Sequence, residues 1–217
     1  NSGAFCVEID PTLSLGRKLE ATRTAILEGA EVIFQATLKR DNLLGHADFL
    51  VRAGRGSSGQ WLYEVVDTKF ARSTKAKFLI QLCFYSDLLS DITGELPDHM
   101  HVELGSGKRE SFRVRDYFYY YRSLLSRLHT YLAAYPEASE VPYPAPCDHC
   151  GLCPWRERCA AKRIGDDHLS AVAGITRQQI ARLEAAGVRT MATLGSLSVN
   201  QAVTKLAPET LSKLREQ

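Results

Sequence analysis

Between residues 31 and 70 three apolar, β-rich runs follow one another across connections too short to hold a helix, and this limits the fold more than any other feature. Residues 31–39, 43–53 and 61–70 read as strands, the last two divided by the loop Gly54-Arg55-Gly56-Ser57-Ser58-Gly59. Parallel neighbours need a long crossover, so the short connections predict an antiparallel meander. Helical periodicity brackets it. Residues 13–29 space Leu15, Leu19, Thr22 and Ile26 as one helix face ending at Gly29, and residues 73–89 do the same with Phe78, Leu82, Tyr85 and Leu89 behind a Ser73 or Thr74 cap. Residues 99–104 and 109–114 then read as a hairpin around Gly105-Ser106-Gly107, and 116–135 as an aromatic-rich helix ended by Pro136. The order α-β-β-β-α-β predicts a mixed α/β sheet with helices packed on it.

A chain of 217 residues suffices for one sizeable core and a small appendage. With 27 basic and 25 acidic residues the net charge is only +2, so any nucleic-acid contact has to come from a local patch. No apolar run nears the ~20 residues that cross a bilayer, and Asn1-Ser2-Gly3-Ala4 lacks a signal pattern, which together predict a cytoplasmic protein without a membrane partner. The chain does not begin with Met, and an upstream part of the first domain is expected to be missing.

The chemistry concentrates on the second and third strands. Gly45-His46-Ala47-Asp48 is followed nineteen residues after Asp48 by Asp67-Thr68-Lys69. Side chains at i and i+2 of a strand share a face, so Asp67 projects with Lys69, and His46 with Asp48. If the faces coincide, two carboxylates and an ammonium share one pocket. A lone D-x-K match is most often a solvated strand-end pair, but here Tyr63, Val65 and Val66 run directly into it, and unpaired charge at the end of a buried strand is costly. Phosphodiester hydrolysis uses a divalent metal on hard oxygen ligands and positive charge near phosphorus. Asp48, Asp67 and the Thr68 carbonyl are the candidate Mg²⁺ or Mn²⁺ ligands, and Lys69 is the group to orient water or offset negative charge.

Gly45 to Asp48, Asp67-Thr68-Lys69 and Gln81-Leu82-Cys83-Phe84-Tyr85 resemble, in order, the G-x-x-D, (D/E)-x-K and Q-x-x-x-Y motifs of the RecB-like PD-(D/E)XK nucleases. The resemblance implies a restriction-endonuclease-like α/β fold, catalytic roles for Asp48, Asp67 and Lys69, and positioning of DNA or the lysine by Gln81 and Tyr85. It departs from the family at the first motif: Glu20 and Glu28 lie on the first helix, yet neither stands in the family's first acidic or histidine motif.

Beyond the Pro-rich stretch 141–146, Cys147, Cys150, Cys153 and Cys159 fall within thirteen residues, a metal-ligand spacing rather than a disulfide framework. Successive three-residue steps suit a cuboidal 4Fe–4S cluster, with Zn²⁺ the alternative and free thiols the bland reading. Iron–sulfur members of the same family carry a similar C-x2-C-x5-C after the core, here Cys150, Cys153 and Cys159, with a fourth ligand upstream. Cys6 is the upstream candidate in this chain and Cys147, the preferred one, a local alternative. The tail reads as helical, with 175–197 like a helix-hairpin-helix. The resulting division is a nuclease core over 1–140, a linker and cysteine knot over 141–165, and a helical appendage over 166–217.

Lesser candidates are Tyr117 to Tyr121 with Arg113, Arg115 and Arg122, for stacking a single strand or, more simply, for the core; Cys83, for packing; and Arg52, Arg55, Arg72, Lys75 and Lys77, for phosphate contacts around the pocket. The expected function is a metal-dependent deoxyribonuclease acting on DNA ends or single strands in repair, recombination or defence, with helicase or other domains of a longer protein as partners. The rival expectation is a catalytically impaired nuclease fold serving as a DNA-binding or scaffold module.

Overall fold

A computed structural model describes residues 5–135, 142–198 and 201–217, and divides the chain into two compact units, Asn1–Glu137 and Ala138–Gln217. The cysteine segment and helical tail thus share one unit. Asn1 to Ala4, Pro136 and Val141, used above as markers, lie outside the described residues. No described helix is long and apolar enough to cross a membrane.

The first unit is a six-stranded mixed sheet flanked by helices, its order following the chain: β1 (Cys6–Glu8), β2 (Val32–Arg40), β3 (Leu43–Arg55), β4 (Trp61–Lys69), β5 (His99–Leu104) and β6 (Arg109–Arg113). The meander β2-β3-β4 is antiparallel, as the short connections require, and β5-β6 is a hairpin. Two pairs are parallel, β1 with β2 and β4 with β5. Each is bridged by a helix, α1 (Leu15–Glu28) and α2 (Ala76–Thr93), which supplies the crossover that parallel neighbours need. The three-residue β1 carries too little periodicity to be seen in the sequence.

Helix α1 stops at Gly29, where φ of 77° continues the chain in the left-handed region. Helix α2 buries the whole predicted stripe, Phe78, Leu82, Tyr85 and Leu89, against the sheet, with Cys83 packed on Met100. A fully buried leucine such as Leu82 or Leu89 contributes roughly 1.5–3 kcal/mol. The cap differs from expectation. Helix α2 begins after Lys75 with no side-chain cap, because the Thr74 hydroxyl instead donates to Glu110 of β6 at 2.7 Å.

Helix α3 (Val114–Ala134) divides its aromatic run. Tyr121 is buried and Tyr117 and Phe118 pack on the core, whereas Tyr119 and Tyr120 are exposed. The Tyr121 hydroxyl donates to Asp87 Oδ2 at 2.8 Å, and Arg40 holds both Asp87 oxygens at 2.5 and 3.3 Å. Burial alone would raise the Asp87 carboxyl, but the bonds from Arg40 and Tyr121 outweigh it and hold the group below its ordinary value. A depressed folded pKa gives stability that is present above the unfolded value, near 3.9, and is lost as pH falls through the lower folded one. Acid titration of the melting temperature is expected to show this loss below about pH 4, and Asp87→Asn to lack it.

In the second unit the tail is helical: α4 (Arg156–Gly165), α5 (Arg177–Ala185), α6 (Met191–Ser196) and α7 (Pro208–Arg215). Thr176 and Gln179 form a reciprocal capping box on α5, and Gly187 turns the chain toward α6 as the hairpin reading expects. Leu169, Leu183, Val188, Leu194, Leu211 and Leu214 anchor a separate small core.

Candidate active site

The site is built where β4 runs out of the sheet. Tyr63, Val65 and Val66 are buried along the strand, and Asp67 continues that burial at 2% exposure. Lys69, two residues on, sets its ammonium in ion-pair contact with Asp67 Oδ2. That oxygen is buried, and the Lys69 ammonium is the one group that meets it among the described residues. Burial pushes the Asp67 carboxyl above the usual carboxylate range; Lys69 pulls it back in part, and the charge of nearby Asp48 adds to the rise.

The regular pattern of the strands lapses beside Asp48. Gln35 of β2 takes a left-handed φ of 57°, and Gln35 and Asp48 leave the one gap in an otherwise continuous β2-β3 ladder. Buried positions change phase across it, from Ile33 to Ala36 and Leu38 on β2 and from Leu50 to Ala47 on β3. His46 and Asp48, predicted to share a face, meet different partners. His46 is exposed and pairs its Nδ1 with the Thr37 hydroxyl at 3.1 Å, whereas Asp48 Oδ2 accepts from the Thr68 N–H at 2.8 Å and the Thr68 hydroxyl at 2.5 Å. Thr68, expected as a carbonyl ligand, therefore also fixes Asp48. A non-glycine left-handed residue costs energy and commonly marks a functional site, and no residue type at position 35 announces it in the sequence.

Gln81 and Tyr85 stand one turn apart on α2, and Gln81 Nε2 donates to the Tyr85 hydroxyl at 2.7 Å. Burial raises the Tyr85 phenol, to which the charges of Asp67, Lys69 and Asp48 all reach. The phenol stays protonated, and its own proton finds no acceptor among the described residues. Gly45 permits the approach: a Cβ there would lie 2.7 Å from Tyr85 Cε1 and 2.9 Å from Phe84 Cε1. The five predicted residues Asp48, Asp67, Lys69, Gln81 and Tyr85 are thus linked by contact or by electrostatic reach.

Two predicted cations are not part of this group. Arg52 and Arg55 stack on Trp61, with 4.5 and 3.6 Å from guanidinium carbon to ring centroid, and Arg52 also donates to the Gly29 carbonyl. Trp61 begins β4, six residues or about 20 Å of strand from Asp67. Arg72, Lys75 and Lys77 do follow the site directly and are exposed.

In the second unit Cys147 and Cys150 are brought together, with sulfurs 3.8 Å apart and the Cys147 N–H directed at Cys150 Sγ at 3.3 Å. Cys153 and Cys159 complete the run as free thiols on the following turn and on α4. Among the described residues no three His, Cys, Asp or Glu side chains gather closely enough to share a metal. Comparison with family models and with curated proteins finds no match for this chain.

Proposed function

We propose that this chain is a divalent-metal-dependent nuclease core of the restriction-endonuclease-like, RecB-like kind, hydrolysing DNA phosphodiester bonds at ends or in single strands. The observation that carries the reading is the convergence on Asp67, a buried carboxylate whose Oδ2 meets only Lys69, with Asp48 and Tyr85 in electrostatic reach. Two carboxylates leave most positions of an octahedral Mg²⁺ or Mn²⁺ ion for water and phosphate, and a buried carboxylate oxygen met only by an ammonium fits such a ligand once the ammonium withdraws. Asp48, Asp67 and the Thr68 carbonyl would hold the ion. When bound, it lowers the pKa of coordinated water and offsets phosphate charge. Lys69 would exchange its contact with Asp67 for the attacking water or the charge that develops on the phosphate, and the Tyr85 phenol, held by Gln81, would donate a hydrogen bond to a phosphate oxygen. Repair, recombination or defence in the cytoplasm, beside helicase or other domains, is the setting that fits this chemistry, and four cysteines clustered at metal-ligand spacing suit a reducing compartment.

The absence of a third close ligand among the described residues favours a second reading, a nuclease fold that binds DNA without cutting it. Incubation of the chain with single- and double-stranded DNA in Mg²⁺ or Mn²⁺ separates the two. Cleavage that stops on chelation supports the enzyme; binding without cleavage supports the module, and neither binding nor cleavage contradicts both.

The cysteine run is proposed to hold a 4Fe–4S cluster through Cys147, Cys150, Cys153 and Cys159, tying its segment into one structure. The Cys147–Cys150 separation of 3.8 Å also matches the edge of a tetrahedral sulfur site, about 3.8 Å for bonds of ~2.3 Å, which keeps Zn²⁺ as the alternative. Protein purified without oxygen is expected to contain iron and acid-labile sulfide and to absorb as a brown solution. Stoichiometric zinc selects the alternative, and Cys153→Ala is expected to lower the bound metal in either case.

A further inference from the structure

Phe70 directly follows Lys69 and is the most exposed large apolar side chain of the described residues, fully open to solvent. A single exposed hydrophobic residue is ordinary, but this one has unusual company. It lies beside Gly105, where an added Cβ would stand 3.3 Å from Phe70 Cδ2, so the glycine leaves the ring uncovered there as well. Arg72, Lys75 and Lys77 follow within the same eight residues, all exposed and none in an ion pair among the described residues. The carboxylates that β5 and β6 bring to this end of the sheet are already engaged, Glu103 by Arg109, and Glu110 by Lys108 and Thr74. An uncompensated positive segment around one open aromatic face therefore begins at the residue after the candidate catalytic lysine.

We propose that residues 70–77 form a single-strand binding element, in which an unpaired base stacks on Phe70 while Arg72, Lys75 and Lys77 contact successive phosphates. The inference rests on the nuclease reading and narrows its substrate to a strand whose bases are free. Within a duplex no base face is available to Phe70, whereas every unpaired base offers one, so the element selects strandedness rather than sequence. The cations supply salt-dependent affinity that alone would not distinguish the two forms.

The test is fluorescence anisotropy of the full chain with a labelled 20-mer single strand and a hairpin duplex, in Ca²⁺ so that binding is read apart from cleavage. Phe70→Ala and Phe70→Leu are expected to weaken single-strand binding about 5- to 100-fold while changing duplex binding less than twofold, and Phe70→Trp to keep it. Replacing Arg72, Lys75 and Lys77 by Ala is expected to reduce the slope of log affinity against log salt by about 2, the share of three phosphates on a single strand. The inference is overturned if Phe70→Leu binds the single strand as the parent does, if duplex and single strand weaken equally, or if the parent binds neither. Cleavage in Mn²⁺ is measured separately: a parent that cuts DNA with an indifferent Phe70 loses this inference and keeps the nuclease reading, while one that binds through Phe70 and never cuts keeps the element and loses the enzyme.

Discussion

Asp67→Asn is expected to raise the melting temperature of the metal-free protein by about 2–4 °C, the change that ~1 kcal/mol produces in a chain of this size, and to lower metal-dependent cleavage at least ~10³-fold. The two effects have one cause. Asp67 is buried, its pKa lies above the usual carboxylate range, and its Oδ2 meets only the Lys69 ammonium. A carboxyl with a raised folded pKa contributes stability below its unfolded value, near 3.9, and loses it as pH rises through the folded one, so at neutral pH the ionised group weighs against the fold. The amide keeps the shape and removes the charge. It also removes a hard anionic ligand, so added Mn²⁺ is expected to raise the melting temperature of the parent and not of the variant. A variant that melts below the parent and still cuts DNA contradicts this account of the residue.

Gly45→Ala is expected to lower the melting temperature by about 2–12 °C and kcat/KM by roughly 10²-fold. The added methyl lies 2.7 and 2.9 Å from atoms of the Tyr85 and Phe84 rings, both on α2, closer than side chains approach one another. One of the two has to move, and overpacking of this kind costs about 1–3 kcal/mol, or some 2–4 °C for each. Because the Tyr85 hydroxyl is fixed by Gln81, the displacement moves the one free phenol proton at the site, and a shift of ~1 Å costs about 10²-fold in rate. The double variant Gly45→Ala, Tyr85→Leu separates packing from chemistry: melting is expected to recover in part and activity to stay low. Full activity in Gly45→Ala with unchanged melting denies that the glycine serves the approach of Tyr85.

Most of the sheet was legible because periodicity and connection length act locally. The stripe on α2 and the antiparallel meander follow from spacing alone, and burial of Tyr63 and Val65 led correctly to a buried Asp67. What escaped depends on partners distant in sequence or on backbone conformation. The hydroxyl of Thr74 is taken by Glu110, thirty-six residues away, so it does not cap α2. Arg52 and Arg55 read as phosphate contacts until Trp61 and the Gly29 carbonyl are seen to occupy them. The left-handed Gln35 and the gap in the ladder between it and Asp48 are set by backbone conformation that no residue type at position 35 announces. The strands and the helix that carry the candidate residues were therefore legible, and the bonds that His46 and Asp48 make there were not.

Anomalous diffraction from crystals soaked in Mn²⁺ bears most directly on whether these residues form a metal centre. The account predicts a peak within about 2.5 Å of carboxylate oxygens from both Asp48 and Asp67, with the Lys69 ammonium withdrawn from Asp67 Oδ2. Density confined to other sites, or a persistent Lys69–Asp67 pair with no ion beside it at saturating Mn²⁺, contradicts it.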